Sequence, residues 1–320
     1  MPLEPERRQA LLGAKLAALV KDQWGDGARR PAPFPGGAAL QDGTTGWVLV
    51  EDRPARALGG AMAWSRRAGL HELHMLVEAD SGRLARRAAL FRPAPHVWLV
   101  NGRSLSDAAP APPDPEPPAP AVEPALVEGI RAAGADVVVE HGVLLGEVLG
   151  LEVCRVSPDG WLEVGVGKHD REAQAEINAD KPPFQALAEA VAVVKEFRRA
   201  DAPVHPANQF ARERWLRAVV MNGTALRPAS SPVPRPDLRE PAPASAVADG
   251  VIVVCSTGID TDLVPAAADA WVAAGRPADF QIVVPEGDDH PITRSLASAL
   301  VQPATVRTVP KDWAATYPGS

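Results

Sequence analysis

At 320 residues the chain exceeds one ordinary domain and can bury a substantial core, so two or three domains are expected. No stretch approaches the roughly 20 apolar residues of a membrane span, and Cys154 and Cys255, far apart inside apolar strands, argue against a disulfide framework or a zinc site. The net charge of −7 hides a blocked pattern, with +5 on residues 1–106, −11 on 107–189, +5 on 190–236 and −6 on 237–320.

In chain order, the first 23 residues read as an amphipathic helix without a signal-peptide cleavage pattern, so a cytoplasmic protein is expected. Strands at Trp47–Glu51, Glu72–Glu78 and His96–Val100 then alternate with helices near Ala55–Ala68 and Gly82–Phe91. Short apolar strands alternating with helices imply a parallel sheet, so residues 1–107 form a βαβαβ, Rossmann-like unit. The arginines of the second helix, Arg83, Arg86 and Arg87, read as a solvated face. Proline crowds 108–124, which favours extended polyproline II and reads as a linker. Residues 125–222 give an α+β segment: a helix near Ala125–Ala133, a strand at Asp136–Glu140, a hairpin over Glu147–Asp170, and helices at Arg171–Ile177 and Phe184–Phe197. A second Pro-rich linker spans 223–248. Residues 249–320 repeat the first plan, with strands Val251–Cys255, Phe280–Val284 and Thr305–Val309 and helices near Leu263–Ala274 and Ile292–Leu300. The fold class is therefore α/β, two Rossmann-like units with parallel strands flanking an antiparallel middle. The shared order makes an ancient duplication conceivable.

Ligands of open parallel sheets gather beyond the carboxyl ends of the strands. Two loops of the last segment stand there, Ser256–Asp262 and Glu286–His290. Thr261, Asp262 and Asp289 suit helix caps. Asp260, Asp288 and His290 remain as candidates for a metal ion or polar ligand.

The hairpin carries the densest chemistry. Ser157-Pro158-Asp159-Gly160 is turn material, which sets Val156 beside Trp161. Counting outward puts Val156, Cys154 and Glu152 on one face with Trp161, Glu163 and Gly165, and Arg155, Val153 and Leu151 on the other with Leu162, Val164 and Val166. Glu152 and Glu163 are then near neighbours. Such a pair is either the solvated side of an antiparallel sheet or a site for a divalent cation or a shared proton. Glycines at 150, 165 and 167 admit a ligand or another backbone.

The α-β-β-β-α order of this segment resembles the core of PD-(D/E)xK metal-dependent nucleases. The resemblance implies Mg²⁺ or Mn²⁺ held by Glu152 and Glu163, with Glu128 as an auxiliary acid. Where the family places its lysine stands Gly165, and Lys168 is the nearest substitute. His169, oriented by Asp170 or Glu172, is a candidate general base. Asp170 also suits a helix cap.

Arg198, Arg199, Arg212, Arg214 and Arg217, accompanied by Phe210 and Trp215, suit contacts to the phosphates of a nucleic acid or internal pairing with the acidic hairpin region. Two functions follow. One is a divalent-metal hydrolase of phosphodiesters or nucleotides. The other is a non-catalytic scaffold or assembly protein that binds a protein partner.

Overall fold

Leu12, Leu16, Leu19 and Val20 recur at helical spacing, and this stripe decides how helix α1 (Pro5–Trp24) docks. It lies against Ala38, Leu40, Trp47, Leu49, Leu76 and Val100 on one face of a six-stranded sheet. The structure is a computed structural model that describes residues 5–199, 202, 205–231 and 242–315.

The sheet comprises β1 (Arg30–Phe34), β2 (Gly37–Asp42), β3 (Thr45–Val50), β4 (Glu72–Val77), β5 (His96–Asn101) and β6 (Ser104–Asp107), in that spatial order. Helices α2 (Leu58–Arg67) and α3 (Ser81–Ala88) connect β3, β4 and β5, which run parallel as expected, whereas β1, β2 and β6 add antiparallel edges. The α/β class stands. The parallel part, β3, β4 and β5, follows in the expected β-α-β-α-β order within a mixed sheet.

The middle segment has helix α4 (Pro124–Ala132), an antiparallel meander of β7 (Asp136–Glu140), β8 (Val143–Val148), β9 (Leu151–Val156) and β10 (Leu162–Val164), then α5 (Gly167–Ile177), α6 (Pro183–Phe197) and α7 (Arg212–Met221). Four strands replace the expected three. Ile130, Leu187, Val191 and Val194 of α4 and α6 close a core over Val153, Cys154 and Val156. The last sheet orders β11 (Arg227–Ala229), β12 (Ala244–Ala248), β13 (Val251–Cys255), β14 (Asp279–Pro285) and β15 (Thr305–Val309). Helix α8 (Leu263–Ala273) joins parallel β13 to β14, and α9 (Pro291–Ser298) joins β14 to β15. Trp215 and Leu216 of α7 pack on Val253, Cys255 and Val283. The likeness between the ends thus extends further than expected, because each presents a helix, antiparallel strands and then β-α-β-α-β.

The chain divides into two compact units, each built from separate stretches of sequence. One is Met1–Asp114 with Asp260–Ala268 and His290–Ala304; the other is Pro115–Ile259, Asp269–Asp289 and Thr305–Ser320. Inside the first unit the turn after α3 and the turn after α9 pair reciprocally: Arg92 N–H donates to the Ala299 carbonyl at 2.7 Å and Val301 N–H to that of Leu90 at 2.8 Å. The expected solvated arginine face is also corrected. Arg87 is buried and donates to the Ala55 carbonyl and to Asp262, while Arg86 holds the carbonyls of Ala111 and Pro112. Residues 108–114 are therefore anchored rather than a free linker. Of the second expected linker, β11 and β12 are strands, and residues 232–241 lie outside the described residues.

Candidate functional site

The β9–β10 turn closes one residue tighter than counting from Ser157 implies. Ser157 N–H donates to the Trp161 carbonyl at 2.9 Å and Gly160 takes φ +83°, so the loop is Pro158–Gly160 and Leu162, not Trp161, faces Val156. A one-residue slip moves every β10 side chain to the other face. A second irregularity offsets it. Gly146 faces Cys154 and Glu147 faces Glu152, which leaves Val153 as the extra residue of a β-bulge and turns Cys154 into the core. Glu152, Arg155 and Glu163 consequently share a face; the expected neighbourhood of the two acids is present, and Arg155 leaves the core face where counting had put it.

Arginines occupy the space between those acids. Glu152 is buried, and its Oε1 accepts from Arg155 Nε at 2.8 Å and from Arg171 at 2.7 Å, while its Oε2 accepts from Arg155 at 3.0 Å. Arg171, on α5, also reaches Glu163 at 3.4 Å. The hydrogen bond to Glu152 raises the Arg155 pKa, whereas burial lowers that of Arg171. A divalent cation at Glu152 would displace or face two guanidinium charges. Lys168 lies 3.9 Å from Glu172, His169 is 95% exposed and pairs with Glu172, and Glu128 pairs with Arg131 on the surface. Asp170 lies inside the first turn of α5 rather than at its N-cap, which is Val166, and accepts from Val166 N–H at 2.6 Å. Gly150 and Gly165 admit backbone rather than ligand: a Cβ at the first would strike the Arg214 backbone and at the second that of Arg171.

A groove of about 590 Å³ runs beside this cluster. Its sides are β10, the α5 face carrying Lys168, Arg171, Gln174 and Ala175, Asn178 just past the end of that helix, and the start of α6 at Pro183 and Ala186. None of the eleven residues of α5 is fully buried, so core packing does little to hold this helix. β10 is an edge strand. The bonds of Ser157 and Gly165 N–H to the carbonyls of Trp161 and Val153 fix its alternation, so Leu162 and Val164, which both line the groove, turn their N–H and C=O groups away from β9. The groove was missed in sequence, although its signal was legible: a very short strand closed by Gly165, then a helix with no apolar stripe.

Three of the five arginines expected to meet nucleic acid are buried. Arg217 bridges Glu140 at 2.7 Å and Glu147 at 2.9 Å, and Arg214 pairs with the same two acids. Burial pushes Glu140 up, but Arg214 and Arg217 outweigh it and hold its carboxyl below the ordinary 4.5. Arg198 donates to the carbonyls of Leu149 and Phe210 and lies over the Trp215 ring. Only Arg199 and Arg212 of the five are exposed. The alternative expectation, internal pairing with acids of the hairpin region, describes Arg214 and Arg217.

The C-terminal acids each have local partners. Asp260 binds Arg56 and the Asp262 N–H, Asp288 accepts from Gly258 N–H at 2.7 Å, and His290, rather than Asp289, caps α9 by accepting from Ile292 N–H. Among the described residues no three His, Cys, Asp or Glu side chains are grouped to hold a metal ion. His74 of the first sheet is closely engaged. His74 Nδ1 accepts from the Trp98 indole at 3.1 Å, so neutral His74 carries its proton on Nε2, facing Glu72 at 3.3 Å, and has no lone pair left for a metal. Burial lowers its pKa against the pull of Glu72.

No protein-family model, no curated protein and no solved structure matches the chain.

Proposed function

We propose that the protein is a non-catalytic α/β scaffold that acts through contacts with a protein partner. The observation that carries this reading is the engagement of the Glu152 carboxylate by Arg155 and Arg171, which leaves the hairpin acids charge-compensated. Burying those ionic groups together holds α5 against β9 and β10 and so presents the groove. The buried Arg198, Arg214 and Arg217 turn this reading away from nucleic acid. A cytoplasmic location belongs to the same reading. It is supported by two free thiols that burial pushes up to about 12, inert where a reducing compartment keeps them unpaired. Among the described residues no helix is long and apolar enough to cross a membrane.

The competing hydrolase reading makes the opposite prediction for added metal. Melting of wild type with Mg²⁺ or Mn²⁺ should show no stabilisation, and neither ion should support hydrolysis of bis(p-nitrophenyl) phosphate. A metal-dependent rise in Tm that disappears in Glu152→Ala and Glu163→Ala would replace the scaffold with the hydrolase.

A further inference from the structure

We infer that the edge of β10 accepts an extended peptide as an added strand, and that this peptide is apolar at alternate positions and carries an acidic residue. The inference rests on the scaffold reading and names its partner. Leu162 and Val164 offer outward N–H and C=O groups spaced for another strand, both line the groove, and α5 and the start of α6 form its walls. Main-chain pairing supplies affinity in such additions, and pockets for alternate side chains supply specificity. Leu162, Val164 and Ala186 form apolar lining here.

Charge selects the occupant. Lys168, Arg171 and Lys181 line the groove against Glu163 and Glu172, and Arg171 already covers Glu163. The Lys168 contact is long and largely exposed, and that of Lys181 runs to Glu189, so both pairs are weakened by water and an incoming carboxylate competes with them readily. A second copy is a poorer occupant, because antiparallel pairing of two β10 edges sets Glu163 opposite Glu163, and like charges so placed repel.

The test is selection of a displayed library of random nonapeptides on the full chain, followed by anisotropy titration of the enriched peptides. Two variants accompany wild type. Val164→Pro removes the outward donor while sparing the bonds of residues 163 and 165, and Ala175→Trp, at an exposed position of α5, fills the groove without touching the sheet. Enrichment of acidic peptides with alternating apolar residues, losing about tenfold or more in affinity on Ala175→Trp and on any folded Val164→Pro, is the expected result. Failure to enrich any peptide, enrichment of basic ones, or equal binding by wild type and Ala175→Trp would overturn the strand addition. None of those results touches the scaffold reading, which fails only by the metal-dependent outcomes above.

Discussion

His74 sits in a box of indoles, with Trp24 and Trp98 near it and Trp47 and His96 stacked on its ring. A second proton would have to go on Nδ1, where the Trp98 N–H already points. The folded state therefore resists protonation that the unfolded chain accepts near its ordinary 6.5. Stability from this group is fully present above that pH and is lost as pH falls below it. The melting temperature should drop between pH 7.5 and 5.5, and His74→Gln, which keeps a donor and an acceptor but cannot titrate, should flatten that part of the profile. An unchanged slope in the variant would show that other groups carry it. Glu140 acts lower on the scale. Its depressed carboxyl contributes stability that is present above 4.5 and lost as pH falls further. Removing its partner is more damaging than any pH change near neutrality. Arg217→Met leaves two buried carboxylates to share Arg214 alone and should cost about 3–5 kcal/mol, whereas Arg199→Met at the surface should stay within about 0.5 kcal/mol. Urea denaturation of the two variants separates these arginines, which look alike in sequence.

Elements were easier to locate than to register. The parallel strands β3, β4, β5, β13, β14 and β15 lie within a residue or two of their expected limits, because each is a short apolar run between turn residues. Strands β1, β2, β11 and β12 were missed where proline, glycine and alanine dilute the pattern, as in Arg30–Phe34 and Ala244–Ala248. In the hairpin, Pro158 and Gly160 announce a turn but do not say whether three or four residues belong to it, and the bulge at Val153 has no local mark. Parity thus reached the right neighbours, Glu152 and Glu163, through two offsetting slips. Gly150 illustrates what the turns demand of their glycines. Its φ is +75° and a Cβ there meets α7, whereas Gly160, at φ +83°, faces open space. Gly160→Ala should cost about 1–2 kcal/mol for the left-handed backbone alone, and Gly150→Ala should cost more by the displacement of Arg214. Equal losses in thermal denaturation would mean that α7 gives way freely.

At the scale of the whole molecule, the first compact unit is completed by residues from the far end of the chain. Arg87 is buried with its hydrogen bond to Asp262 at 3.1 Å, and Phe91 bridges to Leu300. A fragment ending at Asp114 therefore exposes a buried guanidinium and loses the cover of α9. It should give a poorly dispersed amide spectrum and no sharp melting transition, while the full chain unfolds cooperatively. A fragment that melts as sharply as the full chain would show the returning segments to be dispensable. Sequence by itself determined the α/β class, the repeated β-α-β-α-β order at both ends and the position of the acidic hairpin, since each follows from local periodicity and turn chemistry. Only the tertiary structure decided the partners. Arg171 meets Glu152 from 19 residues away and Arg217 meets Glu140 from 77, and which opposite charges converge depends on helix packing that local pattern does not encode. That packing turned a pair of acids that resembled a metal site into a compensated cluster beside an open strand edge.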